Sequence, residues 1–318
     1  MTTPTQKRLA SATAARQTAA DGSDRSHRRW LMVGLCFFGL TINYVDRGNL
    51  GVALPKMKTD LGLGAGAEGV VLAAFFASCA VFQLPAGHAV DRWGEKIVNT
   101  FAVTWWSLFT ALTAAAGSFA TLIVMRLGLG AGESGGYPSS AKAVSVWFPT
   151  RARAFATSIY ASGARVGTAA ALPIVAALIA WLGWRGSFII TGAFGLVWVV
   201  FWLRFYRRPR EDAGISPAEL EYIEEGGARV EEKEAEEENR DASSVRYRDP
   251  AHVASIGGIQ NFASNLAGLL GATTTGALVG LSGGSFAAAL VLSGVLGLVG
   301  AFSYLVIVQR IEPLPVRA

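Results

Sequence analysis

Five ionisable side chains interrupt long apolar runs: Asp46, Arg47, Arg126, Glu133 and Arg165. A charge inside a membrane helix is costly and marks a functional position by default. Asp46 and Arg47 adjoin within Asn43-Tyr44-Val45-Asp46-Arg47. Arg126 and Glu133 are spaced close to two helical turns apart, so a helix projects both from one face. Three arginines against two carboxylates leave an excess of positive charge that an anion can neutralise. The guanidinium fork suits a carboxylate, and it stays charged at any physiological pH. Carboxylates beside arginines in a low dielectric can gain or lose a proton as an anion arrives, because burial and neighbouring cations act in opposite directions. That is the chemistry of coupled proton and anion movement. The alternative, structural ion pairs, stays open for the set and above all for Arg165.

These residues need elements long enough to carry them across a bilayer. A helix rises 1.5 Å per residue, so about 20 residues cross an apolar core of roughly 30 Å. Eight runs qualify: Trp30–Leu54, Gly69–Val90, Ile97–Gly117, Phe119–Pro138, Ala154–Leu182, Phe188–Tyr206, Ser255–Leu281 and Phe286–Val308. The predicted fold class is all-α integral membrane, with about eight transmembrane helices. Residues 1–27 read as a disordered cytoplasmic tail, 28–206 as a six-helix unit, 207–250 as a charged cytoplasmic linker and 251–312 as a two-helix unit.

Composition agrees. Of 318 residues, 52% are hydrophobic and only 16% charged, against about 25% charged in an ordinary soluble domain. Of the 23 acids, 14 fall between Glu211 and Asp249, too few elsewhere to cover a soluble core. That acidic stretch reads as a solvated connector, partly helical over Glu219–Glu238. The net charge of +5 does not imply nucleic acid, since the basic residues sit between apolar runs and form no single stripe. Cys36 and Cys79 lie inside apolar runs and make neither a disulfide framework nor a metal site. His27, His88 and His252 show no ligand spacing. No nucleophile–base set or cofactor cradle is present, so neither an enzyme nor a bound cofactor is expected.

Lys and Arg in the short connections set the orientation. One side carries Arg28 and Arg29, then Arg92 and Lys96, then Lys142, Arg151 and Arg153, then Arg204 to Arg210, then Arg310 and Arg317. The other carries only Lys56, Lys58 and Arg185. Both termini are expected in the cytoplasm. The glycines from Gly128 to Gly136 sit in a membrane span with no preceding strand, which discards a phosphate cradle. Gly163 and Gly167, and Gly276 and Gly280, read as small-residue pairs for close helix packing.

The connection after the second span is the most specific motif. Gly87-His-Ala-Val-Asp91-Arg92-Trp-Gly94-Glu-Lys96 resembles the loop signature of the major facilitator superfamily, with Glu95 where a basic residue is common. Asn43-Tyr44-Val-Asp46-Arg47, Gln83-Leu-Pro85, Arg126-Leu-Gly-Leu-Gly-Ala-Gly-Glu133 and Trp184-Arg185 together look like its anion:cation symporter family, which includes sugar-acid, phthalate and sialic-acid-type carriers. The resemblance implies two six-helix halves with alternating access around a central site, and symport of an organic anion with protons or another cation. It implies Asp46 and Glu133 as proton-coupling groups, with Glu133 paired to Arg126. It implies Arg47, Tyr44, Arg126, Asn261 and Asn265 as substrate-binding residues. Gly87, Asp91, Arg92, Gly94 and Lys96 would belong to a cytoplasmic gate, Asp91 lying close to the start of a later helix near Ser255–Gly257. The implied partners are a small organic anion, protons and the lipid bilayer, at the cell membrane.

The chain also departs from the family. Residues 255–268 resemble its eleventh helix and Phe286–Val308 its twelfth, while nothing resembles helices seven to ten. Cys79 stands where the family usually places a tyrosine. A carrier, a non-transporting remnant and a carrier completed by association all stay open. Substrate, coupling ion and oligomeric state are not specified.

Overall fold

The computed structural model describes residues 26–64, 66–228, 253–282, 285, 287–303 and 305–306. Among them every regular element is helical. The helices are α1 (Arg28–Asp60), α2 (Ala67–Trp93), α3 (Glu95–Thr113), α4 (Phe119–Glu133), α5 (Gly136–Trp147), α6 (Thr150–Phe205), α7 (Pro217–Glu225), α8 (Val253–Leu281) and α9 (Ala287–Ser303). By length and composition α2, α6 and α8 contain stretches able to cross a membrane unaided, and α9 is a shorter apolar helix. The expected tail and most of the expected linker (1–25 and 229–252) lie outside the described residues, as do Phe286, Tyr304 and residues 307–318.

α1 is the central post. α6 breaks at Gly183, whose φ of 70° reverses the chain into two arms. The first arm runs parallel to α1. A Cβ on Gly163 would overlap the Phe37 carbonyl, and one on Gly167 the Thr41 carbonyl, so the expected close packing of this glycine pair is present. The second arm runs back along the other side of α1. Trp198 Nε1 donates to the Leu35 carbonyl at 3.2 Å. Further along, Asn49 Nδ2 donates to Thr191 Oγ1 at 3.0 Å, and Ser187 Oγ donates to Asn49 Oδ1 at 2.9 Å. The second arm also packs on α3, and α4 packs against both α2 and α3. A core of Leu40, Phe75, Trp106, Leu129, Trp147, Trp198 and Trp202 fills the interior.

Three sequence expectations change. The run Phe119–Pro138 is not one helix: α4 stops at Glu133, and α5 starts at Gly136 after a turn. The apolar pattern continues through that turn, which hides it from hydropathy. Lys142, expected in a loop, is buried within α5. Gly276 and Gly280 have open space where a Cβ would point, so among the described residues no helix packs on that face of α8.

The described start of the connector is packed rather than solvated. α1 has neither an acidic residue in its first turn nor a side-chain cap of its own. Glu219, fully buried in α7, supplies one from a distance: its carboxylate accepts from the backbone N–H groups of Arg28 and Arg29 at 3.2 and 3.4 Å, and from the Ser26 hydroxyl. An anion there suits the helix dipole. Arg28 forks onto Asp212 at 2.8 to 3.3 Å.

Candidate functional site

The polar residues gather at two places. The first lies midway along α1. Arg47 Nε donates to Glu133 Oε2 at 2.5 Å, joining α1 to the last residue of α4. The Arg47 side chain is 21% exposed while that of Glu133 is enclosed. The guanidinium also lies over the rings of Tyr44 (4.8 Å) and Phe75 (5.1 Å). Tyr44 Oη stands 3.5 Å from Tyr137 Oη. Arg47 is therefore framed by aromatic faces and a carboxylate, with one side open.

Asp46 points the other way, into the bundle, and is only 1% exposed. It faces Thr191, Glu133 and Arg126. Neither of its carboxylate oxygens has a hydrogen-bond partner among the described residues, nor has Glu133 Oε1. Buried carboxylate oxygens left in this state are costly unless a proton or cation visits them. Arg126 donates to Thr113 Oγ1 at 3.2 Å and lies 5.5 Å from the Phe188 ring. It is 2% exposed.

The structure thus brings together Asp46, Arg47, Tyr44, Arg126 and Glu133, with one exchange of partners. Glu133 pairs with Arg47, not with Arg126 as the resemblance implied. Spacing along α4 establishes that Arg126 and Glu133 share a face, but not which neighbouring helix supplies the counter-charge. The break after Glu133 brings that carboxylate against α1. Arg165 stands apart. It is exposed on the first arm of α6 and has no partner among the described residues.

The second cluster sits at the end of α2. The Ser255 N–H and hydroxyl both donate to Asp91 Oδ2, at 2.9 and 2.6 Å. Asp91 therefore meets the first turn of α8, as the resemblance implied. Lys142 Nζ lies 3.7 Å from Asp91 Oδ1. Gly94 turns the chain between α2 and α3 with a φ of 82°, and a Cβ there would meet the Arg208 guanidinium. Arg92 is exposed and Lys96 half-buried. Glu95 is accounted for by its partners: it accepts from Tyr206 Oη at 2.7 Å and lies 3.6 Å from Arg208 Nε. Gly87 lies against Gly258 of α8.

Asn265 does not join the Arg47 cluster. Its amide donates to Gln83 Oε1 at 3.4 Å and to the Asn261 carbonyl at 2.9 Å, holding α8 on α2. Asn261, half-exposed, lies one turn earlier on α8. Gln83 Nε2 in turn donates to the Ser134 carbonyl at 2.9 Å, a group exposed by the α4–α5 break. Sequence reasoning passed over Asn49, Thr113, Tyr137, Ser187 and Thr191. They carry no charge, and only a polar residue recurring at helical spacing in an apolar run could have marked them.

Residues 36–244 match the family model of the Major Facilitator Superfamily. The D-galactonate transporter of Escherichia coli O6:H1 is 35% identical over 204 residues, covering 64% of this chain and 47% of that protein. The hexuronate transporter of Escherichia coli K12 is 33% identical over 198 residues, covering 62% and 46%. The probable galactarate/D-glucarate transporter of Bacillus subtilis is 31% identical over 229 residues, covering 69% and 50%. Among solved structures, a bacterial homolog of the human lysosomal transporter Spinster, inward-facing and occupied, superposes with a TM-score of 0.55 at 25% identity, over 59% of this chain and 46% of that one. A proton:xylose symporter bound to 6-bromo-6-deoxy-D-glucose shares the fold, with a TM-score of 0.53 at 13% identity over 82% and 55%. The chain spans about half the length of the curated relatives it matches. It is a multi-pass membrane protein built on the transporter plan of these relatives, and it belongs to the major facilitator superfamily.

Proposed function

We propose that this chain binds a small sugar-acid anion at Arg47 and couples its movement to protons through Glu133 and Asp46, by alternating access across a cell membrane with both termini in the cytoplasm. The single observation that carries the reading is the partly exposed Arg47, held at 2.5 Å by the enclosed carboxylate of Glu133. An arriving carboxylate competes with Glu133 for one guanidinium, and the displaced glutamate is relieved by a proton. Asp46 supplies a second, deeper proton site beside Arg126. Tyr44 and Tyr137 offer hydroxyls for the sugar. Arg126 is closed off in this conformation and acts on Asp46 and Glu133 through its charge. Asp91, Ser255 and Lys142 form a latch that opens and closes one end of the path, together with Gly87, Arg92, Gly94 and Lys96. Asn261 and Asn265 act on the opposite wall once α8 moves from Gln83.

The test is uptake of labelled D-galactonate into proteoliposomes under an imposed proton gradient. The expected result is gradient-dependent uptake that Asp46→Asn and Glu133→Gln abolish. Uptake indifferent to the gradient and to both substitutions contradicts the coupling.

A second reading is favoured by one observation. Arg165 is an exposed cation in the middle of a membrane arm, costing roughly 2.5–3.5 kcal/mol against lipid. In this reading the chain works only when another polypeptide covers that arm. Native mass measurement showing active monomers excludes it.

A further inference from the structure

The inner face of α3 carries a polar stripe that the transport reading does not use. Glu95, Asn99, Trp106, Thr110 and Thr113 recur at helical spacing and fall within about 60° of one another on one face. All five are buried. Over the 19 residues of α3 the stripe runs roughly 27 Å, close to the depth of an apolar membrane core. At one end Thr113 Oγ1 accepts from Arg126 at 3.2 Å. At the other Glu95 Oε1 accepts from Tyr206 Oη at 2.7 Å.

Between its ends the stripe is not satisfied by the protein. Thr113 turns its hydroxyl back onto the Phe109 carbonyl at 2.8 Å, the usual resource of a threonine within a helix. Thr110 does not. Thr110 Oγ1, Trp106 Nε1, Glu95 Oε2 and the neighbouring Ser107 Oγ are buried and have no hydrogen-bond partner among the described residues. Polar atoms buried in this way are costly, and in protein interiors water commonly satisfies them.

Packing brings these atoms into line. A Cβ on Gly195 of α6 would overlap Ser107 Oγ and stand 3.7 Å from Trp106 Nε1, so both polar atoms lie at one point of the α3–α6 contact. One turn away, a Cβ on Gly192 would meet the Ser107 carbonyl at 2.7 Å and the Ala111 nitrogen at 2.9 Å. The adjoining Thr191 faces Asp46. Trp106 also lines a cavity of about 10 Å³, with Asn99 and Ser140 among its other walls. That is room for one water with polar partners around it. Asn99 stands one helical turn from Glu95.

We propose that this stripe binds a file of internal water molecules that carries protons between Asp46 and Glu95, through the interior of the six-helix unit rather than along the substrate path. The proposal rests on the coupling reading for its destination, Asp46. Each transfer breaks one O–H bond and forms another, so one proton leaves Asp46 and one reaches Glu95 with no co-reactant. Arg126 and Glu133 face the file at Asp46, and Tyr206 and Arg208 face it at Glu95.

The test has two arms on the full-length chain. The first is nuclear magnetic resonance of the isotope-labelled tryptophan indoles in detergent, with the Trp106 signal identified by Trp106→Phe. The expected result is a cross-peak between bulk-exchanging water and the Trp106 indole N–H, diminished in Asn99→Leu. A Trp106 indole without contact to water overturns the file, whatever transport does. The second arm compares two fluxes of labelled D-galactonate in proteoliposomes: uptake driven by a proton gradient, and exchange for unlabelled D-galactonate, which needs no net proton movement. Thr110→Val and Asn99→Leu each slow the driven uptake about tenfold, the kinetic equivalent of one lost hydrogen bond. They leave exchange unchanged, which a merely structural defect does not. Thr104→Val, on the exposed side of α3, changes neither flux. Equal loss of both fluxes, or full driven uptake in both variants, overturns the route. Absence of driven uptake in the unaltered chain overturns the coupling reading and the route with it, and the water site is then decided by the cross-peak.

Discussion

The six-helix unit and the α8–α9 pair solve the same membrane problem in different ways. In the first, enclosed carboxylates are each paired with a partly exposed arginine: Glu133 with Arg47, Asp212 with Arg28, Glu95 with Arg208. Its connector folds back to cap α1. In the second, polar anchors all fall on the α2 side. Ser255 holds Asp91, Asn265 holds Gln83, and Gly258 lies against the Gln83 carbonyl. Beyond those points α8 faces outward, and of the described α9 residues only Ala289 is buried. The difference teaches that the first unit carries its own closed core and both carboxylates of the proposed coupling chemistry, while the second is fastened to it along one edge.

The contrast can be broken most severely at the α1–α6 contact. Gly167→Leu drives a side chain into the Thr41 carbonyl and the Tyr44 Cβ, costing roughly 3 kcal/mol or more. The expected outcome is loss of monodisperse protein in size-exclusion chromatography, whereas Gly276→Leu on α8, facing open space, is tolerated. A milder break is Glu133→Gln. It leaves Arg47 without a carboxylate and costs on the order of 2 kcal/mol, less than a wholly buried pair because Arg47 reaches the open side. A lowered melting temperature checks it, and an unchanged one contradicts the pairing. The smallest expected effect is removal of the chain from Val253 onward. The melting temperature of the six-helix unit shifts by only about 2 °C, because Asp91 keeps Lys142 and detergent covers α2. A collapse on truncation contradicts the view of a self-contained core.

Much of this arrangement could be read in the sequence, for a physical reason. Span positions follow from apolar run length, so α1, α2, α3, α6 and α8 fall where expected. The meeting of Asp91 with Ser255 was implied by the family resemblance, and a carboxylate there suits a helix start. The turn between α4 and α5 was hidden, since Ser134 and Gly135 do not interrupt the apolar pattern. That turn moves Lys142 into the interior and brings Glu133 onto Arg47. Periodicity reports which residues share a face of one helix, but partners across helices depend on crossing geometry that a one-dimensional pattern does not hold. Asn49, Ser187 and Thr191 carry no charge to mark them in an apolar run, yet their uncharged hydrogen-bonding groups bind α1 to α6.

The central claim is that one guanidinium is shared in turn by Glu133 and the substrate anion. It is tested most directly by mixing D-galactonate with purified, weakly buffered protein and a pH indicator. The account predicts proton uptake from solution upon anion binding, lost in Glu133→Gln and retained when Arg165 is changed to glutamine. Binding with no proton uptake, or uptake that persists in Glu133→Gln, contradicts it.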